Sequence, residues 1–137
     1  MTPTVRIGST SDIEAVLLLW TGSGSEPTHT DDAPSVQAFI EHDGSALLVA
    51  EDRGELVGSV LAGWDGWRGS VYRLAVAPSH RRRGLARRLL AEAEAHLHSV
   101  GGRRLQAIVV ETEPAATGFW RAGGWEEQRH RLRFVKG

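Results

Sequence analysis

The 137-residue sequence contains no cysteine, one methionine and one tyrosine. The absence of cysteine excludes disulfides, a thiol nucleophile and thiolate metal sites. No apolar run approaches the roughly 20 residues that a membrane-spanning helix needs, and no basic segment followed by an apolar one begins the chain. With 41% hydrophobic and 24% charged residues, the composition is that of a globular protein. We therefore expect a soluble, cytoplasmic protein with a single domain over residues 1–137.

Charge is unevenly distributed along the chain, although the formal net charge is only -1. Residues 1–65 carry eleven acidic and two basic side chains, whereas residues 66–137 carry fourteen basic and six acidic ones. This division suggests a polyanionic ligand at the basic half and a cation at the acidic half. The alternative is that folding mixes the two sets in space.

The first half of the chain shows strand and helix patterns in alternation. A strand over residues 4–8 precedes a helix that Ser11 and Asp12 cap, and a second helix starts at Pro34. Between these helices, residues 21–33 are rich in Gly, Ser, Thr and Asp and predict a long loop. Three consecutive antiparallel strands follow, over residues 45–51, 56–62 and 71–77.

The second half begins with the clearest periodicity, a helix over residues 84–100 with apolar residues at three- and four-residue steps. A largely apolar run at 105–110, interrupted by Gln106, predicts a buried parallel strand, and Pro114 opens a last helix that stops at Gly123. A closing strand is expected at Leu132, Phe134 and Val135. The order predicts one mixed α/β domain with antiparallel N-terminal strands, a parallel β-α-β crossover and helices on both faces of the sheet.

The most informative segment joins the third antiparallel strand to the long helix through Arg81-Arg82-Arg83-Gly84-Leu85-Ala86. A helix N-terminus offers unpaired backbone N–H groups and the positive end of the helix dipole, both of which suit a phosphate. Glycine at the start of the helix lets a phosphate approach the backbone, and arginine side chains add charge-assisted hydrogen bonds. The segment is neither a Walker loop nor a dinucleotide-binding fingerprint, because it lacks their lysine and further glycines.

Two motifs make the sequence resemble the GNAT superfamily of N-acetyltransferases. The arginine segment resembles the R/Q-x-x-G-x-G/A loop that binds the pyrophosphate of acyl-CoA, and Leu74-Ala75-Val76-Ala77-Pro78 resembles the strand before it. A second match, A-x-x-F-Y-x-x-x-G-F in the family, lies over residues 115–125. The predicted order of elements also agrees with the family, so the resemblance covers essentially the whole chain.

The resemblance implies acetyl-CoA as cosubstrate, with the backbone at Leu74 and Val76 contacting the thioester and supplying an oxyanion donor. It implies no metal. The residues expected to contact acetyl-CoA are Leu74, Ala75, Val76, Arg81, Arg82, Arg83, Gly84, Leu85, Ala86, Arg87, Glu113 and Trp120.

This sequence departs from the family at several positions. Glu113 stands where an asparagine is frequent, Ile108 where many members carry a glutamate as general base, and Trp120 where a tyrosine often protonates the leaving thiolate. Tyr72, two positions before Leu74 and on the same strand face by alternation, is the substitute candidate for that acid. Fewer than fifteen residues follow Gly124, so one closing strand is expected in place of the family's last hairpin.

Acidic and aromatic residues in two loops suit a cationic acceptor. The candidate acceptor residues are Trp20, Glu26, Asp31, Trp64 and Asp65. Solvated loops with surface tryptophans are the alternative explanation of this pattern.

The leading prediction is direct transfer of an acetyl group from acetyl-CoA to a primary amine, preferentially of a small molecule. Peptide N-termini or lysines remain as alternative acceptors, and a non-catalytic acyl-CoA-binding module is the second hypothesis. A nucleic-acid binder is the third, but near-zero net charge and the lack of a recognisable motif argue against it. We therefore expect no nucleic-acid or membrane partner, and pairing of exposed sheet edges would allow a homodimer.

Overall fold

The computed structural model describes residues 2–24, 27–109 and 114–137. The chain divides into two compact units, Met1–Ala107 and Ile108–Gly137. Within the described residues, no helix is both long enough and apolar enough to span a bilayer.

The larger unit contains a five-stranded sheet in which spatial order follows chain order. Its strands are β1 (Thr4–Ile7), β2 (Leu47–Asp52), β3 (Glu55–Trp64), β4 (Gly69–Val76) and β5 (Leu105–Ala107). The first four strands are antiparallel, and β5 runs parallel to β4. The predicted mixed sheet is thus confirmed. The hairpin between β3 and β4 is tighter than predicted, because the strands extend to Trp64 and start at Gly69.

The described residues form four α-helices besides the sheet. A short 3₁₀ turn (Thr10–Asp12) leads into α1 (Ile13–Gly22), and the remaining helices are α2 (Ala33–His42), α3 (Leu85–Ser99) and α4 (Pro114–Ala122). The carboxylate of Asp12 does not cap α1 as predicted. It accepts the N–H of Ser9 and pairs with Arg6 at 2.9 Å, which ties the start of α1 to β1.

Helices of the larger unit cover both faces of the sheet. Leu47 and Val49 of β2 pack with the apolar side chains of α1 and α2. On the opposite face α3 approaches closely, since a Cβ built at Gly58 would lie 2.8 Å from Leu89. Strand alternation places successive side chains on opposite faces, so a sheet covered twice requires the near-continuous apolar runs seen in β2 and β3.

The smaller unit corrects one prediction. Its regular element is α4, and residues 125–137 form no strand. Leu132, Phe134 and Val135 of the predicted closing strand are 82%, 89% and 73% exposed. An alternating pattern supplies strand-forming side chains, but a strand also needs a neighbouring edge for its hydrogen bonds. The strand predicted over 105–110 is shorter than expected, since β5 ends at Ala107. Val110, the last residue of that prediction, lies outside the described residues.

Candidate active site

Strand β4 has one edge that is only partly paired. On one side it pairs with β3 from Gly69 to Val76, whereas on the other side β5 covers only Gly69–Val71. In the described part of the chain, no strand pairs with this second edge beyond Val71. Within the larger unit, β4 therefore has a length of strand edge that no other strand covers beyond Val71, and such an edge can pair with an extended ligand.

The direction of backbone groups shows which residues face this open edge. The N–H of Ala77 donates to the carbonyl of Val57 on β3 at 2.8 Å. Because backbone groups alternate along an antiparallel strand, those of Ala75 also face β3, while those of Val76 and Leu74 face the open edge. Ala75 was predicted to pair with the cosubstrate through its backbone. Its backbone groups and its buried side chain are instead used by the fold.

A β-bulge interrupts β4 beside Leu74. Leu61 of β3 pairs with Tyr72 and Ser59 pairs with Ala75, so β4 has one extra residue between these pairs. Arg73 at the bulge adopts a left-handed backbone with φ +51°. The extra residue breaks strand alternation. Tyr72 therefore shares a face with Ala75 and not, as predicted, with Leu74; its side chain is half exposed.

The connection from β4 to α3 ends in an open helix start. After a 3₁₀ turn at Pro78–His80, residues 81–84 (hereafter the arginine loop) lead to Leu85. Gly84 has φ +77°, and a Cβ added there would have no atom within 4 Å, so it combines a backbone that favours glycine with open space. The first N–H groups of any helix lack partners within it, and here they adjoin that space. Leu85 is buried, so only its backbone can serve a ligand.

The arginines of the loop have different surroundings. Arg81 donates through Nε to the carbonyl of Val76 at 3.2 Å and through Nη2 to the carbonyl of Ser23 at the end of α1. Its side chain therefore holds the arginine loop against β4 and α1. Arg82 and Arg83 are exposed, and within the residues that the structure describes no carboxylate pairs with either. Ala86 and Arg87, in the first turn of α3, are half-buried.

A histidine ties the same connection to the β2–β3 turn. His80 Nε2 lies 2.7 Å from Asp52 Oδ2, and Nδ1 lies 2.7 Å from Ser79 Oγ. The hydrogen bond from His80 lowers the pKa of Asp52. The sequence gives no local signal for this contact, because Asp52 and His80 are 28 positions apart and are brought together only by the fold.

Two of the predicted acceptor residues in α1 and the α1–α2 connection, Trp20 and Asp31, already have partners within the protein. Trp20 is 4% exposed and donates its indole N–H to Ser59 Oγ at 2.8 Å, so it belongs to the core and not to a surface site. Asp31 forms an ion pair with Arg73. Its neighbour Asp32 accepts the N–H of Ser35 and caps α2. Glu26 lies outside the described residues.

Trp64 and Asp65 lie at the far end of β4 from the arginine loop. Eight strand residues separate the two ends, a span of about 23 Å. The Asp65 carboxylate accepts the N–H groups of Trp67 and Arg68 at 2.8 and 2.7 Å, and these bonds lower its pKa. The groove beside this turn is basic, since Arg68, Arg103 and Arg104 line it with Trp67 and Gly101. The Asp65 carboxylate is therefore already engaged within its own turn and is not free to bind an amine.

The smaller unit contains the other predicted contact residues. Trp120 on α4 makes edge-to-face contacts with Phe119 and Trp125 at centroid distances of 5.8 and 4.8 Å. Ile108 is exposed, and its aliphatic side chain cannot act as a base. Glu113 lies outside the described residues, as does Glu111.

Within the described residues, no three side chains of the His, Cys, Asp and Glu types come together as a metal site would require. The two histidines of α3 have structural contacts. His96 pairs with Asp43 at 2.7 Å, and His98 Nδ1 lies 3.0 Å from the carbonyl of Gly102.

Comparison with known proteins gives one consistent family. The model of the acetyltransferase (GNAT) family matches residues 13–124. An acetyltransferase of Yersinia pestis (strain Pestoides F) is 36% identical over 124 residues, covering 90% of this chain and 88% of the relative. An acetyltransferase of Pectobacterium atrosepticum is 37% identical, covering 85% and 82%. Among solved structures, the PaiA N-acetyltransferase of Thermoplasma acidophilum, in complex with coenzyme A, has a TM-score of 0.80 at 17% identity, covering 89% and 88%.

Proposed function

Because the chain belongs to the GNAT family of acetyltransferases, we propose that it transfers the acetyl group of acetyl-CoA to the primary amine of a small molecule. The observation that carries the proposal is the open edge of β4, which is joined through the Pro78–His80 turn and the arginine loop to the open helix start at Gly84. An extended arm can add to such an edge as a strand, and a phosphate group suits such a helix start. The Thermoplasma relative of the same fold binds coenzyme A.

We propose that two regions of the larger unit share the binding of acetyl-CoA. The backbone N–H groups that begin α3 would hold the pyrophosphate, with charge from Arg82, Arg83 and Arg87. The backbone of Leu74 and Val76 would pair with the pantetheine arm. Since Arg81 already donates to the Val76 carbonyl, its role is to shape the junction between the two regions.

Acetyl-CoA supplies a thioester that is activated toward amines. One N–H of the open edge, from Leu74 or Val76, would stabilise the negative charge that develops on the carbonyl oxygen. A new C–N bond replaces the C–S bond, the neutral amine gives up one proton to water, and CoA leaves as thiolate. A thiol with a pKa of about 8.5 leaves tolerably without a proton donor, so the chain needs no dedicated acid.

The acceptor is proposed to be compact. The Arg73–Asp31 ion pair fixes the α1–α2 connection to the bulge of β4, at the residue before Leu74. With the connection held there, we expect a compact acceptor to fit better than a long one. Because this ion pair already engages the Asp31 carboxylate, the acceptor amine is proposed to be bound by groups other than Asp31.

Calorimetry with CoA and an amine screen that follows release of the free CoA thiol test this proposal. We expect CoA binding by the wild type and thiol release only when acetyl-CoA and an amine are both present. Peptides with free N-termini or lysines form the second arm of the screen, and exclusive turnover with them would replace the small-molecule acceptor. A folded wild type that fails to bind CoA would contradict the proposed function itself.

A further inference from the structure

A buried chain of hydrogen bonds runs from α1 through β3 to the bulge of β4. The indole N–H of Trp20 donates to the Ser59 hydroxyl at 2.8 Å, and that hydroxyl donates to the carbonyl of Arg73 at 3.3 Å. Ser59 is fully buried, so its hydroxyl must find its partners within the protein. The indole can only donate. The direction of the whole chain, from Trp20 to the carbonyl of Arg73, is therefore determined.

The peptide bond after Arg73 couples the orientation of the Arg73 carbonyl to that of the Leu74 N–H. In a planar trans peptide, the carbonyl of one residue and the N–H of the next point in opposite directions. Ser59 holds the carbonyl of Arg73 on the side of β3. The N–H of Leu74 consequently points to the other side, which is the open edge of β4.

Contacts of the Arg73 side chain also stabilise the conformation of the bulge. Its guanidinium group pairs with Asp31 and lies 5.3 Å from the centre of the Trp20 ring. Asp31 in turn accepts the N–H of Thr28 at 2.9 Å. A left-handed backbone at a residue other than glycine persists only when its surroundings impose it. Here the side-chain contacts and the Ser59 hydrogen bond impose it together.

We infer that Ser59 is a positioning residue for acetyl transfer, because its hydrogen bond to the Arg73 carbonyl aims the N–H of Leu74 at the thioester oxygen. The inference rests on the proposed function, since it requires the thioester at the open edge. Ser59 itself touches no substrate. Its effect is exerted through one peptide plane, and Trp20 orients the hydroxyl that exerts it.

Replacing each of two buried serines separates this role from packing. Ser70 on β4 is also buried, and its hydroxyl accepts a hydrogen bond from Gln106 on β5 at 3.1 Å. Loss of an oxyanion donor lowers kcat by roughly 100- to 1,000-fold, and a misdirected donor retains part of that effect. We expect Ser59→Ala to lower kcat at least about tenfold with CoA affinity within about twofold of wild type. Ser70→Ala should leave kcat within about twofold.

The double variant Trp20→Phe/Ser59→Ala distinguishes positioning from stability. Ser59→Ala alone leaves the buried indole N–H of Trp20 without its acceptor, which destabilises the fold. Removing that N–H as well should recover part of the lost melting temperature, whereas kcat should stay low because the Arg73 carbonyl still lacks its donor. Recovery of kcat together with the melting temperature would overturn the inference.

The amide NMR signal of Leu74 provides a readout that needs no acceptor. In the wild type, this signal should differ between the CoA and acetyl-CoA complexes. In Ser59→Ala the signal should already be displaced in the free protein, and the difference between the two complexes should disappear. A Leu74 signal that is the same in wild type and Ser59→Ala refutes the inference, even where the wild type binds CoA and the proposed function stands.

Discussion

The open helix start at Gly84 allows a quantitative test against a glycine with the same backbone but no proposed ligand. Gly84 has φ +77°, and Gly66 in the β3–β4 turn has φ +92°; a Cβ added at either would have no atom within 4 Å. Alanine in a left-handed conformation costs about 1–2 kcal/mol at either site. For a chain of this length, that corresponds to a fall in melting temperature of about 4–8 °C. The two alanine variants should therefore be destabilised alike.

Affinity for CoA should differ sharply between the same two variants. A Cβ at Gly84 would occupy the space beside the first N–H groups of α3, where the pyrophosphate is proposed to bind. Loss of one charge-assisted hydrogen bond, about 1.5–3 kcal/mol, weakens binding about 10- to 100-fold. Gly84→Glu adds a negative charge at that point and should abolish measurable binding. Calorimetry with CoA and thermal unfolding measure both quantities. If folded Gly84→Glu bound CoA as tightly as Gly66→Ala, the arginine loop would not be the phosphate site.

Further outcomes concern the acceptor, the leaving group and the effect of pH. Asp65→Asn should lower the melting temperature and leave the acceptor KM unchanged, because this carboxylate serves its own turn; an increased KM in steady-state kinetics would return it to the acceptor site. Trp120→Phe should change kcat by less than about tenfold, since an indole cannot protonate a thiolate, and a larger loss would assign it a direct contact. Tyr72→Phe should preserve the pH–rate profile, and loss of its basic limb in this variant would make the tyrosine the acid. Hydrogen bonding to Arg6 lowers the pKa of Asp12. The ion pair should therefore stabilise the fold above the unfolded pKa of about 3.9 and lose its effect as pH falls through the lower folded value. Unfolding of Asp12→Asn and wild type should differ at pH 7 and converge near pH 2.

Local patterns in the sequence were sufficient for the elements whose signals are short in range. The three- and four-residue apolar steps of α3, the glycine at its start and the proline at the start of α2 all act within a few residues of themselves. The same holds for the arginine loop and its position between a strand and a helix. These features predicted the fold class, which the structure confirms, and the helix start at which we propose that the phosphates bind.

Features that depend on residues far apart in the chain were decided by the tertiary structure. Two of the acids expected to bind an amine already have partners within the protein. Asp31 pairs with Arg73, 42 positions away in the chain, and the Asp65 carboxylate accepts the N–H of Arg68 in its own turn. The closing strand did not form, since side-chain alternation cannot provide a pairing edge. Tyr72 and Leu74 lie on different faces because a bulge depends on the register of two strands. That register also brings Ser59 to the carbonyl of Arg73, a contact between side chain and backbone that leaves no periodic trace in the sequence.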